Sequence, residues 1–415
     1  MTTEVLRKPE PILKWNLRQL YWDVVWFGVL AGSTIAFQAV YAARLGATGF
    51  QIGLISAGPA VIGLIFTLPS GRWLEGKSLI KVSFRSAIWQ RLGYLVLVAL
   101  PWMFPSAQGQ VWGLILTTLV MSIAGTMLAI SFNALFAEVL PAEWRAQAVG
   151  RRNILLAVSI TVTTLVSGQI LDWLDFPQNY QVVFLIGAAG ALLSSYHIGR
   201  IRKPVESIDS PVGMSTPAGS ETEIEQKPRS LLRLDLLKGP FGIFMLSYLV
   251  FYAFQYFPLP LFPIAYVDQM NLTDGMIGFG SALFYGTMML ASFRLSYAST
   301  RYGHRRLLIA SAAIFPIYPL LIAIGKDPVY YYLACLLGGG VYAMLSGALI
   351  NRLMERVPSN DRPAHMALHN MALNLGILAG SLLGPLSADL IGLQPSIFLG
   401  AFLRLLAAGL FWLWG

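Results

Sequence analysis

Apolar residues come in twelve runs of about 18 to 25, each long enough to cross a hydrocarbon layer of about 30 Å as a helix. Polar residues fall mainly between the runs, which predict membrane-spanning helices over residues 20–42, 50–69, 84–104, 111–133, 153–171, 181–199, 241–266, 276–295, 307–325, 329–350, 368–391 and 395–414. Only short connections and one long polar interval remain, which excludes a large extramembrane enzyme. Composition agrees: 56% of the 415 residues are hydrophobic and 12% charged, about half the charge of a soluble domain. One cysteine, Cys335, excludes a disulfide framework or a cysteine-based zinc cluster.

The net charge of +9 raises the question of a nucleic-acid partner, and the distribution of the charge answers it. With the N-terminus inside, 25 of the 29 Lys and Arg fall on the cytoplasmic side, counting Arg85 and Arg294 at the cytoplasmic edges of their spans, with Arg44 and Lys326 outside and Arg91 and Arg404 deeper within spans. This is the positive-inside pattern of a multi-pass membrane protein, with both termini cytoplasmic. The acids Asp172, Asp175, Asp268, Asp274, Asp327 and Asp389 lie at or near the outer face. The first twenty residues contain Arg7, Lys8, Pro9, Pro11, Lys14 and Arg18 in place of a cleavable signal. Residues 200–238 break the apolar rhythm with Ser, Pro, Glu and Lys and predict a cytoplasmic linker. It separates an N-terminal bundle, 1–199, from a C-terminal bundle, 239–415, and ends in an amphipathic segment over 231–238.

The two halves are related. A shift of 225 residues places Tyr41 on Tyr266, Thr48 on Thr273, Ile52 on Ile277, Gly53 on Gly278, Ser56 on Ser281 and Ala57 on Ala282. Glu138, Pro141, Arg145 and Asn153 have the spacing of Glu355, Pro358, Arg362 and Asn370. An even-numbered unit returns the chain to the same side, so the copies are parallel repeats about an axis along the membrane normal.

The loop Ser296–Arg306 contains Arg301, Gly303, Arg305 and Arg306, and the loop after span two keeps Gly71 and Glu75. Both are similar to the Gly-x-x-x-Asp-Arg-x-Gly-Arg-Arg loop of the major facilitator superfamily, with Ser296 and Thr300 replacing its first glycine and its acid. The chain resembles that family over essentially its whole length. The resemblance implies an all-α membrane fold of twelve helices in two pseudo-symmetric bundles. It also implies a secondary transporter, a permease or exporter, working by alternating access. In that family such loops latch the cytoplasmic side, which implies gating roles for Gly71, Glu75, Glu138, Pro141, Arg145, Arg301, Gly303, Arg305, Arg306, Glu355, Pro358 and Arg362. Plain topological or helix-holding roles are the alternative. Span four lacks the family's embedded arginine and span five its glycine-proline motif, which argues against proton antiport. Gly376, Gly380, Gly384 and Pro385 give span eleven a small face for close packing.

The family's cavity lies near the midplane, lined by spans one, four, seven and ten. Their polar and aromatic residues, Ser33, Thr34, Phe37, Gln38, Tyr41, Ser122, Thr126, Tyr252, Gln255, Tyr256, Tyr342 and Ser346, are the candidate substrate contacts. Packing or intrahelical bonding is the alternative for each. Hydroxyls, amides and rings without a charge cluster point to a small neutral or amphipathic solute rather than a multiply charged one. Asp23 and Arg91, both inside spans, are coupling candidates for a proton or other ion, or else a permanent ion pair. Arg404 is expected to pack in the outer scaffold or to snorkel. Pro258, Pro260 and Pro263 predict a bend in span seven that moves during outer gating, or a static kink.

No phosphate-binding loop supports ATP coupling. His365 and His369 lack the glutamate of a metalloprotease helix, and no metal or cofactor is implied. The expected partners are a small solute and membrane lipids, with a monomer in a bacterial inner membrane. A docking scaffold without transport, or a lipid translocator, remains the alternative.

Overall fold

A computed structural model describes residues 11–74, 76–203, 234–358 and 362–415, and these contain helices and turns with no strand. The first half comprises α1 (Pro11–Arg44), α2 (Gly49–Leu74), α3 (Leu79–Met103), α4 (Ala107–Val139), α5 (Ala142–Trp173) and α6 (Gln178–Gly199). The second comprises α7 (Pro240–Tyr256, resuming at Leu261), α8 (Asp274–Tyr302), α9 (His304–Ile324), α10 (Pro328–Arg356), α11 (Arg362–Ile391) and α12 (Leu393–Trp414). Eleven described helices are long and apolar enough to cross a membrane. The twelfth, α3, is 25 residues long but carries Lys81, Arg85, Gln90 and Arg91. Much of the expected linker, residues 204–233, lies outside the described residues, as does Glu75; Leu234–Lys238 forms a short 3-10 turn.

Local chemistry sets the helix ends. Ser106, Thr273 and Asp327 accept backbone N–H bonds at the starts of α4, α8 and α10, satisfying donors that a helix start leaves free. Gly303 adopts φ 78°, a left-handed turn open to glycine without strain, and joins α8 to α9. Trp15 Nε1 donates to the Arg200 carbonyl at 2.9 Å, Lys203 lies 3.9 Å from Glu138, and Arg352 donates to the Gly415 carbonyl at 3.0 Å. These contacts gather the starts and ends of the chain's halves at one end of the bundle, here called proximal. The other end is distal.

Within the first half α3 packs on α4 and α6, α1 on α5 and α6, and α2 on α4. In the second, α8 packs on α10, α7 on α11 and α12, and α9 on α10 and α12. The halves meet in two crossings, α2 with α11 and α5 with α8. These crossings are images of one another under the repeat, α2 falling on α8 by the 225-residue shift and α5 on α11 by the spacing that relates Glu138 to Glu355. The matched glycines sit in them: a Cβ on Gly53 would lie 2.2 Å from the Ser381 carbonyl oxygen, and one on Gly278 2.8 Å from that of Thr164. Apolar side chains gain little from leaving lipid for a helix interface, so such crossings depend on small residues that let backbones approach. The glycine face of α11 serves the same purpose toward α7. A Cβ on Gly380 or Gly384 would fall 2.3 or 1.8 Å from the Ala253 or Phe257 carbonyl oxygen.

Three helices depart from the uniform spans the hydropathy predicts; one of them, α9, is broken by a turn at Phe315 and Pro316. In α1, Ala31–Ile35 is a π-helical turn. In α7, regular helix stops at Tyr256 around Pro258 and Pro260, which lack N–H donors, resumes at Leu261–Ile264 and ends in a π turn, Ala265–Gln269.

Candidate functional site

A cavity of about 430 Å³ lies between the halves, bounded by Ile35, Ala36, Ala39 and Val40 of α1 and by side chains of α7, α8, α9, α10 and α12. Its wall is rich in tyrosine. Tyr266 and Tyr318 share a hydrogen bond of 2.8 Å, and Tyr331 donates to the Ile277 carbonyl at 3.0 Å. Tyr256, Tyr285 and Tyr342 line the same space beside Gln255. Rings with hydroxyl tips suit a solute that has both an apolar body and polar groups.

Arg404 also lines this cavity and is 2% exposed. The expectation of scaffold packing or snorkelling is therefore corrected. Its Nη2 donates to the Gln255 carbonyl at 2.6 Å, and the guanidinium carbon lies 4.7 Å from the Phe315 ring centroid. Nε and Nη1 have no hydrogen-bond partner, nor does the buried Gln255 Oε1. Hydropathy registers such a residue only as a cost. The sequence signal that marks it is its position: the middle of a span, too deep to reach water.

Of the residues expected to contact substrate, Gln255, Tyr256 and Tyr342 line this cavity. Ser122 and Thr126 line a second hollow, about 450 Å³, with Asn133, Asn370 and Asn374, nearer the proximal end. The others lie elsewhere. Ser33 donates to the Val29 carbonyl at 2.6 Å, and Thr34 packs against Gly187 of α6. Phe37 is fully buried in the helix-packing core. Tyr41 donates to Gln110 at 2.5 Å and packs 4.9 Å from the Tyr180 ring. Gln38 is half-buried and outside both hollows. Tyr252 bonds His369 at 2.9 Å, and Ser346 turns back on the Ala343 carbonyl. The hydroxyls of Ser33 and Ser346 find acceptors in their own preceding turns, and those of Tyr41 and Tyr252 find partners on neighbouring helices, so polarity does not by itself mark the cavity face. In α1 the π turn also rotates the downstream face, leaving Ile35 and Ala39 toward the cavity.

Among the described residues, the hydrogen bonds and ion pairs that link helices of the two halves cluster at the distal end. Arg44 pairs with Asp274 at 3.0 Å and donates to the Leu272 carbonyl at 2.5 Å. Asp172, at the end of α5, accepts from Thr273 Oγ1 and from the Gly275 N–H, both at 2.9 Å. The described candidate gating residues are at the proximal end, and none of their described bonds links the two halves. Glu138 pairs with Lys203 at 3.9 Å, Arg145 donates to the Leu140 and Ala137 carbonyls, and Arg305 donates to the Trp412 carbonyl. Arg301 bonds Tyr297, and Glu355 accepts from Arg352 at 2.9 Å. Arg306 and Pro358 are exposed, Pro141 precedes α5, and Gly71 and Arg362 lie in α2 and α11. Arg44, Asp172 and Asp274 lie outside the loops that resemble the family's latch, although each is a charge on the sparsely basic side of the sequence.

Asp23 and Arg91 approach only to 4.0 Å. Asp23 instead accepts from Ser194 at 2.5 Å and from Arg152 at 3.3 Å, while Arg91 donates to Ser195 at 2.8 Å. One buried carboxylate thus serves two guanidiniums and ties α1, α3, α5 and α6 together.

The sequence model of the Major Facilitator Superfamily matches residues 24–257 and 244–415. No curated protein matches the chain. Among solved structures, a mutant of the nucleoside transporter NupG is 15% identical with a TM-score of 0.72, over 96% of this chain and 99% of that one. A bacterial homologue of the human lysosomal transporter Spinster, inward-facing and occupied, gives 13% and 0.72 over 98% and 97%. A bacterial homologue of the iron transporter ferroportin gives 16% and 0.71 in its inward-facing state, over 98% and 99%. Its outward-facing state gives 15% and 0.60 over the same shares.

Proposed function

The chain belongs to the Major Facilitator Superfamily and is a multi-pass secondary transporter, and we propose that it carries a small amphipathic solute through the tyrosine-lined cavity by alternating access. The observation that carries this reading is the asymmetry of the closure: a cavity between the halves, with the polar links between them, among the described residues, gathered at the distal end. The excess of Lys and Arg at the proximal end supports its placement in the cytoplasm, in a bacterial plasma membrane with both termini inside. On that placement this conformation is inward-facing, and the higher TM-score to the inward-facing ferroportin homologue, 0.71 against 0.60, supports the same state.

The cycle follows from the contacts. Solute enters from the proximal side and rests among Gln255, Tyr256 and Tyr342. The proximal charges, including Glu138, Arg145, Arg301, Glu355 and Arg362, latch across the halves as the distal links at Arg44 and Asp172 part. Asp23 and Arg91 act as fixed charges that hold the first half rigid while it rocks, and the protein works as a single chain without enzymatic chemistry.

The test is two-sided accessibility. A cysteine replacing Ala39, in a chain with Cys335→Ala, is expected to react with a membrane-impermeant maleimide from the proximal side in the resting protein. During turnover it should react from the distal side. Labelling from one side only, under every condition, overturns the reading.

A further inference from the structure

We propose that Arg404 is the recognition point for a single anionic group, so that the cavity takes a monoanion with an apolar or aromatic body. The inference rests on the transport reading of the same cavity. Arg404 stands midway along Leu393–Trp414, roughly 15 Å from either end at about 1.5 Å per residue, beyond the reach of a snorkelling side chain. Its guanidinium is buried and always charged. None of the ion pairs among the described residues involves it. One nitrogen is used by the Gln255 carbonyl, and the other two have no partner.

A lone charge at this depth is costly unless something pairs with it. The Phe315 ring, 4.7 Å away, offsets part of that cost by cation–π attraction. It accepts no hydrogen bond in the plane of the guanidinium, where Nε and Nη1 keep their capacity to donate. A carboxylate or another singly charged oxyanion supplies both the acceptors and the opposite charge. A dianion leaves one negative charge with no basic partner in the wall, and a neutral solute leaves the arginine uncompensated. Gln255 Oε1, buried and without a partner, adds an acceptor for an N–H or O–H on the same solute. Tyr256 and Tyr342 offer faces for its body.

The test uses the full chain in lipid nanodiscs, with affinities from calorimetry and folding followed by thermal unfolding. The probes are 3-phenylpropanoate and indole-3-acetate, their primary amides, and phenyl phosphate as the dianion. The carboxylates are expected to bind roughly ten- to a hundredfold more tightly than the amides, the range for a hydrogen bond to a charged group, and more tightly than the phosphate. Arg404→Gln should level carboxylate and amide. Arg404→Lys should keep the preference at lower affinity and stands in if the Gln variant does not fold. Equal binding of acid and amide by the unaltered protein, preference for the phosphate, no binding of either carboxylate, or a preference that survives in folded Arg404→Gln each overturns the proposal. Position 39 separates this failure from failure of the transport reading. If labelling there alternates between sides while carboxylates hold no advantage, only the anion inference falls; if it never alternates, transport itself falls.

Discussion

Arg44 at the end of α1 and Asp274 at the start of α8 join the two halves across 3.0 Å, and 230 residues of chain separate them. Their side chains are 26% and 9% exposed, so water screens the pair in part. Its worth is about 1 kcal/mol, which corresponds to roughly a fivefold shift between states. Asp274→Asn or Arg44→Gln is therefore expected to raise the distal-open population by about that factor. The rate of maleimide labelling at position 39 from the distal side measures it. The charge reversal Arg44→Asp with Asp274→Arg should bring the rate back, and an unchanged rate in the single variants excludes the pair as a latch.

The glycines at the two crossings make a graded prediction. A Cβ at position 53 meets a backbone carbonyl oxygen at 2.2 Å, whereas one at 278 meets its carbonyl at 2.8 Å and the Gly168 Cα at 3.0 Å. Backbone atoms yield less readily than a flexible side chain, so α2 must draw back from α11, or α8 from α5. Gly53→Ala should open the distal end more than Gly278→Ala, read as the distance between spin labels on the distal ends of α2 and α11. Equal distances in both variants and in the unaltered protein contradict the account.

The fold was legible because the bilayer imposes it. A run of about 20 apolar residues has few alternatives to a spanning helix, and Gly53 and Gly278 announced the repeat that became the two crossings. The site was less legible, because hydropathy counts polar residues without saying which way they point. Gln255, Tyr256 and Tyr342 line the cavity, but Ser33 is spent on a carbonyl of its own helix and Tyr41 on Gln110 of α4. Ile35 and Ala39 carry no polar atom to betray a cavity face. Arg404 and Arg152 escaped because a single charge in sequence has no visible partner, and in space one lacks a carboxylate while the other shares Asp23.

The π turn in α1 therefore yields a test of face. Cysteines at Ile35 and Ala39 are expected to react with a water-soluble maleimide added from the proximal side. Cysteines at Ser33 and Thr34, buried against Gly187 of α6, should stay unreactive. Ser33→Ala and Thr34→Ala should lower thermal stability, by about 1 kcal/mol for each lost hydrogen bond, and leave solute affinity unchanged. Rapid labelling at 33 and 34 with protection at 35 and 39 would restore the regular-helix face.

Asp23 makes the last prediction. It is 3% exposed, accepts from Ser194 and Arg152, and lies 4.0 Å from Arg91. Removing one member of a buried charged cluster leaves the remainder uncompensated, which costs about 3–5 kcal/mol. Asp23→Asn leaves two guanidiniums without a carboxylate, and its thermal unfolding should fall accordingly. Arg152→Gln alone removes the closer partner but leaves Arg91, 3% exposed, as counter-charge, so its loss should be smaller. The double variant Asp23→Asn with Arg152→Gln should unfold later than Asp23→Asn alone, because it buries one fewer unpaired charge. A purely structural cluster further requires that the pH profile of transport keep its shape in whichever variant folds. If Asp23→Asn keeps its stability and flattens that profile, the carboxylate is a proton-coupling group and not a brace.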